Sequence, residues 1–103
     1  MAGTSIYNWD ELPEDTSFGV FKRAVQGGAG SVKRIEVPAG CVGERHSHAH
    51  EQFVIVLDGS GTLSCDAGDI KLRPGTVIHF APNAWHSTVF DTKTLLMEVN
   101  FGA

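Results

Sequence analysis

Apolar and polar residues alternate along this chain in short runs, and each run closes on glycine, proline or a small polar residue. Phe21-Lys22-Arg23-Ala24-Val25 ends at the turn Gln26-Gly27-Gly28-Ala29-Gly30, and Ser31-Val32-Lys33-Arg34-Ile35-Glu36-Val37 stops at Pro38-Ala39-Gly40. Gln52-Phe53-Val54-Ile55-Val56-Leu57 is a continuous apolar, β-branched run closed by Asp58-Gly59-Ser60-Gly61, which suits a strand buried on both faces. Thr62 to Cys65, Asp69 to Leu72, Thr76 to Phe80, His86 to Phe90 and Thr94 to Phe101 complete the series, separated by turns rich in Gly, Pro and Asp. Short strands at steady spacing predict an all-β fold, an antiparallel sandwich or barrel. Helix signals are weak: Asn8-Trp9-Asp10-Glu11-Leu12-Pro13 predicts one turn, with Asn8 as its cap and Pro13 as its stop. Residues 1–17 are expected to form an arm on the barrel or on a partner subunit, anchored by Trp9 and Leu12. Residues 18–103 form the barrel in this reading.

The chain has 103 residues and a formal net charge of −4. That is one domain with a modest core. The eight Lys and Arg are scattered, so nucleic acid is not an expected partner. Nothing resembles a signal peptide, and no apolar run is long enough to span a bilayer. The expected compartment is the cytoplasm, with no membrane partner and reduced thiols. Cys41 and Cys65 read as small buried apolar residues, and a bridge between them stays open. Phe53, Ile55 and Leu57 share the face of their strand opposite Gln52, so a second sheet or subunit must cover them; a homodimer is expected.

The densest chemistry lies in His46-Ser47-His48-Ala49-His50-Glu51-Gln52, with His86 about thirty-five residues on. Neutral imidazole is a common ligand of first-row metals. A His-x-His pair on a strand turns both rings to one face. His46, His48 and a distant His86 therefore read as ligands of one mononuclear site. The alternative is histidines that fill hydrogen bonds at the surface or in the core.

The spacing Gly40, five residues, His46, one residue, His48, three residues, Gln52, six residues, Gly59 resembles the first motif of the cupin superfamily, in which Glu is usual at the Gln52 position. Gly75, Pro82 and His86 are similar to the second motif, with Ala84 in place of a glycine and Phe90 in place of an asparagine. The resemblance implies an antiparallel double-stranded β-helix, or jelly roll, with a metal bound inside near one mouth. It makes Gln52 the fourth ligand; His50 is the alternative to it. The narrower resemblance is to small single-domain cupins that open unsaturated uronates to linear keto acids in pectin and alginate breakdown. It rests on Gln52, on Trp9-Asp10-Glu11-Leu12, on Gly19-Val20-Phe21-Lys22-Arg23 and on Glu98. Two departures stand out: the step from His48 to Gln52 is one residue shorter, and the basic residue near that family's C-terminus has no counterpart before Ala103.

Three imidazoles and an amide leave a coordination position open, as catalytic sites do. The implied cofactor is one divalent transition metal ion: Ni, Zn, Mn or Fe. Its uncompensated charge should attract a small acid or sugar-derived substrate. Glu98 is the candidate catalytic acid or base, against an exposed strand residue. Arg23 and Arg34 are candidates for a substrate carboxylate, against solvated strand faces. His79 is a pocket-lining shuttle or a core histidine, and Trp85 a wall of the mouth or a packing residue. The leading reading is a metal-dependent lyase or isomerase. The alternatives are an Fe(II)-dependent dioxygenase and a non-catalytic cupin that binds a small ligand.

Overall fold

The computed structural model describes residues 3–102. Met1, Ala2 and Ala103, the first two in the expected arm and the last in the expected barrel, lie outside the described residues. Among the described residues nine strands carry the fold: β1 Phe21–Gln26, β2 Gly30–Val37, β3 Val42–His46, β4 Gln52–Asp58, β5 Gly61–Cys65, β6 Gly68–Leu72, β7 Val77–Phe80, β8 His86–Phe90 and β9 Thr94–Phe101. They form a five-stranded sheet ordered β1-β2-β9-β4-β7 and a four-stranded sheet ordered β3-β8-β5-β6. Every pairing is antiparallel. The result is the double-stranded β-helix that the strand pattern and motifs predict.

Strand parity builds the core. In β2, Ile35 and Val37 are buried while Arg34 and Glu36 face outward. In β4, Gln52, Val54 and Val56 are buried, Phe53 and Ile55 half-buried, and Leu57 exposed. The run expected to be buried on both faces is thus buried on one. Its other face lies on the outside of the larger sheet, which no element among the described residues covers completely. Leu63, Leu72, Phe80, Phe90 and Leu96 join Ile35, Val37, Val54 and Val56 between the sheets. Each such side chain, once buried, contributes about 1.5–3 kcal/mol. Gly59 turns the chain out of β4 at φ +101°, and a Cβ there would stand 2.6 Å from the Lys93 carbonyl oxygen, so only glycine fits.

The segment before β1 lies along that strand. Trp9–Glu11 is one 3-10 turn whose cap, Asn8, accepts from the Asp10 N–H at 3.4 Å. Asp15 and Lys22 exchange two backbone hydrogen bonds of 2.8 Å. Arg23 donates to the carbonyls of Trp9 at 2.7 Å and Leu12 at 3.4 Å, and pairs with Glu14 at 3.2 Å. Trp9 and Leu12 are half-buried. Cys41 and Cys65 are free thiols packed against the core. No helix among the described residues is long and apolar enough to cross a membrane.

Candidate metal centre

His46 ends β3 and His86 begins β8, and the two are direct register partners. Their ring centroids stand 4.2 Å apart. His48 lies two residues beyond the end of β3, which corrects the expectation that both histidines ride one strand. The register of β3 shifts between Gly43 and His46, and strand alternation no longer sets side-chain direction beyond that point. His48 still closes on the group, 4.8 Å from His46 and 5.7 Å from His86 between centroids. One ring nitrogen from each histidine lies within 4.8 Å of the others.

Each ring has its own support. The Nδ1 of His46 meets the Glu44 carbonyl at 2.8 Å, which fixes the proton on Nδ1 and leaves Nε2 as the free donor atom. The His48 carbonyl accepts from the Asn83 N–H at 2.6 Å, with Asn83 in the left-handed region at φ +67°. The turn before β8 therefore braces the loop that carries His48. His86 is buried and stacks on Phe80, with centroids 4.1 Å apart and planes 20° apart. Its Nδ1 is buried without a hydrogen-bond partner. The Ala84 backbone favours a proton on the ring, but no group stands in bonding geometry with that nitrogen.

Burial, with His46 and His48 beside it, pushes His86 down from 6.5 to about 4. His48 is also lowered, first by burial and then by His46 and His50. Both rings are neutral at neutral pH, the form a metal requires. Gln52 is 3% exposed. Its Nε2 donates to Asn100 Oδ1 at 2.7 Å, and the same oxygen lies 2.9 Å from His50 Nε2. Asn100 thus holds the Gln52 amide by its nitrogen, leaving Oε1 as the atom available to a cation. The same Asn100 oxygen engages Nε2 of His50, and of the two side chains only Gln52 carries an oxygen donor. Three imidazoles, one of which has an unpartnered buried nitrogen, and an amide oxygen are a donor set that fits a divalent transition ion.

The donors line two neighbouring cavities, His46 and Gln52 both of them, His86 one and His48 the other. An inner cavity of about 200 Å³ runs between the sheets, with walls that are mainly aliphatic and aromatic. A polar mouth of about 370 Å³ opens outside it, lined among others by Gln26, Ser31, Lys33, His48 and Asn100. Lys22, His46, Gln52 and Glu98 border both. Glu98 is therefore on the inner face of β9, half-buried, opposite Lys33 of β2 and Val54 of β4.

The other sequence candidates lie elsewhere. Arg23 is engaged with the N-terminal segment, and Arg34 pairs with Glu36 at 3.2 Å on the outer face. Neither borders the mouth or the inner cavity, so the structure corrects their expected role: they lie on the wrong side of their strands. His79 Nε2 meets Glu51 at 2.6 Å on an exposed surface, with its ring beside Phe53. Trp85 carries the Arg45 guanidinium 4.1 Å above its ring. Neither His79 nor Trp85 lines the donor cavities. Lys22, Lys33 and Asn100 do line them, and sequence reading missed all three. The signal was present for two: Lys33 shares parity with Ile35 and Val37, and Asn100 with Leu96.

A family profile described as "Cupin domain" matches residues 33–99. No curated protein matches the sequence. Among solved structures, an RmlC-like cupin from Shewanella frigidimarina superposes with a TM-score of 0.88 at 19% identity, covering 98% of this chain and 93% of that one. KdgF from Halomonas sp. gives 0.83 at 18% identity, with 96% of each chain covered. A predicted oxalate decarboxylase from Thermotoga maritima gives 0.80 at 16% identity, with 96% and 100% covered. At these identities the likeness is one of fold.

Proposed function

The chain belongs to the cupin family, and from that premise we propose that it is a metal-dependent lyase or isomerase of a small sugar-derived or keto acid. The observation that carries the reading is the grouping of His46, His48 and His86, beside cavities that Gln52 and Glu98 also line. The four donors would hold the ion, which when bound supplies Lewis acidity to a carbonyl or hydroxyl. Glu98 would take the proton of a substrate hydroxyl as the ring C–O bond breaks and return one to the carbon of the adjacent double bond, so that the enol ends as a keto group. The apolar inner cavity keeps bulk water from the reacting atoms, while the Ser31 hydroxyl offers a hydrogen bond to an oxygen-rich acid at the mouth. Imidazole and amide ligands bring no negative charge, so a bound divalent charge favours an anionic substrate. The likeness to KdgF in fold, together with Gln52 and Glu98, supports an unsaturated uronate as the first substrate to try.

The test is proton NMR in D₂O of an unsaturated uronate with protein loaded separately with Ni, Zn, Mn or Fe(II). Linear keto acid with deuterium incorporated at carbon is the expected product. Absence of turnover with every metal overturns the enzymatic reading, and a bound, unaltered acid then supports a ligand-binding cupin. Oxygen uptake by the iron form replaces the reading with the dioxygenase. We further propose that a second copy of this chain covers the outer face of the larger sheet, where Phe53, Ile55, Leu57 and Phe101 remain partly or largely exposed.

A further inference from the structure

Lys22 and Lys33 differ from the arginines beside them in sequence. Arg23 and Arg34 each hold a carboxylate at 3.2 Å. Lys22 and Lys33 form no ion pair among the described residues, although both are half-buried and both line the mouth beside the metal donors. Lys22 of β1 is the register partner of Ile35 in β2, which places Lys33 on the adjacent diagonal of the same inward face. Diagonal neighbours stand roughly 7–8 Å apart, so two flexible stems on that spacing can reach one small anion. Neither Glu98 nor Asp15 forms an ion pair with them, although, after the hydrogen bonds from Ser17, the charges of Lys22 and Lys33 help to hold the Asp15 carboxyl below its usual range. Glu98 is directly opposite Lys33 in register, yet no bridge forms. Asp15 is paired with Lys22 through the backbone, and its carboxylate turns to the Ser17 N–H at 2.8 Å.

We infer that Lys22 and Lys33 are the residues that bind the substrate's carboxylate and fix which end of the acid stays at the mouth. The inference rests on the catalytic reading above for the word substrate, but its chemistry is that of any small carboxylate. Two ammonium groups without protein partners, at the rim of a cavity, gain charge-assisted hydrogen bonds when a carboxylate arrives. The arginines do not compete, because their guanidinium groups are already engaged.

The experiment is calorimetric titration with pyruvate and galacturonate, and with the methyl ester of each acid. Wild type, Lys22→Met, Lys33→Met, Lys33→Arg and Arg34→Gln are compared, metal-free and zinc-loaded, with zinc content measured alongside. Each Lys→Met change should weaken acid binding about tenfold, the scale of a hydrogen bond to a charged group. Lys33→Arg should restore it, Arg34→Gln should leave it unchanged, and ester binding should respond to none of them. Zinc content should be the same throughout. Failure of wild type to bind either acid overturns the inference. So does wild-type affinity in both Lys→Met variants, or an equal loss in Arg34→Gln. Acid binding that persists without zinc, in a protein that never takes up zinc, would sink the catalytic reading and leave the lysine assignment standing.

Discussion

The side-chain nitrogen of Gln52 donates to the side-chain oxygen of Asn100 at 2.7 Å, across directly paired positions of β4 and β9. One amide thereby orients another and turns the Gln52 oxygen into the free end. Groups that orient metal ligands typically change affinity 10–100-fold when removed. Asn100→Ala should therefore weaken zinc or nickel affinity by about that factor while the circular dichroism spectrum stays all-β. Competition with a chromogenic chelator measures it, and unchanged affinity would remove Asn100 from the site.

Stability of the metal-free protein should depend on pH through His86. The ring titrates at about 4 in the fold against 6.5 unfolded, so the unfolded chain binds the extra proton first. The contribution is complete above pH 6.5 and is lost as pH falls toward 4, on the order of 3 kcal/mol in all. Denaturant titrations at pH 7.5 and 4.5 should show that loss in wild type and a smaller one in His86→Phe, which keeps an aromatic ring against Phe80. An equal pH dependence in both would assign the effect to other groups.

Glu98→Gln keeps the size and removes the ionisable group. It should retain metal at wild-type stoichiometry and lose turnover by at least about a hundredfold, the low end of what a positioned acid or base supplies. Undiminished rates of deuterium incorporation would take Glu98 out of the chemistry.

Asn83 holds the His48 carbonyl from a left-handed backbone conformation. Asn83→Ala should cost about 1–2 kcal/mol and loosen metal binding, while Asn83→Gly should bind metal as wild type does. Thermal melts with and without zinc separate the two effects, and equal behaviour of both variants would show that the turn does not brace His48.

Much of this fold was written in the alternation of Ser31 to Val37 and in the glycine-punctuated runs between Gln52 and Phe101. Gly59 and the turns near Asp66 and Pro74 bound their strands closely because backbone geometry there is local. The histidine group was legible too, since imidazoles at His46, His48 and His86 have few other reasons to share a motif. What failed was facing. β1 is short and carries basic side chains in succession, so its sequence does not say whether Lys22 or Arg23 looks inward; a one-residue slip exchanges the two faces. In β2 the parity of Ile35 and Val37 did point to Lys33, but guanidinium chemistry drew attention to Arg34. The link between Gln52 and Asn100 spans 48 residues and depends on which strands pair, which no local pattern records.

Elemental mass spectrometry of the purified protein, after incubation with excess divalent metal and desalting, tests the central claim most directly. The account predicts about one transition-metal ion per wild-type chain. It predicts almost none in a folded variant with His46, His48 and His86 all changed to alanine. A wild-type chain that retains no ion, or a triple variant that retains as much, would contradict it.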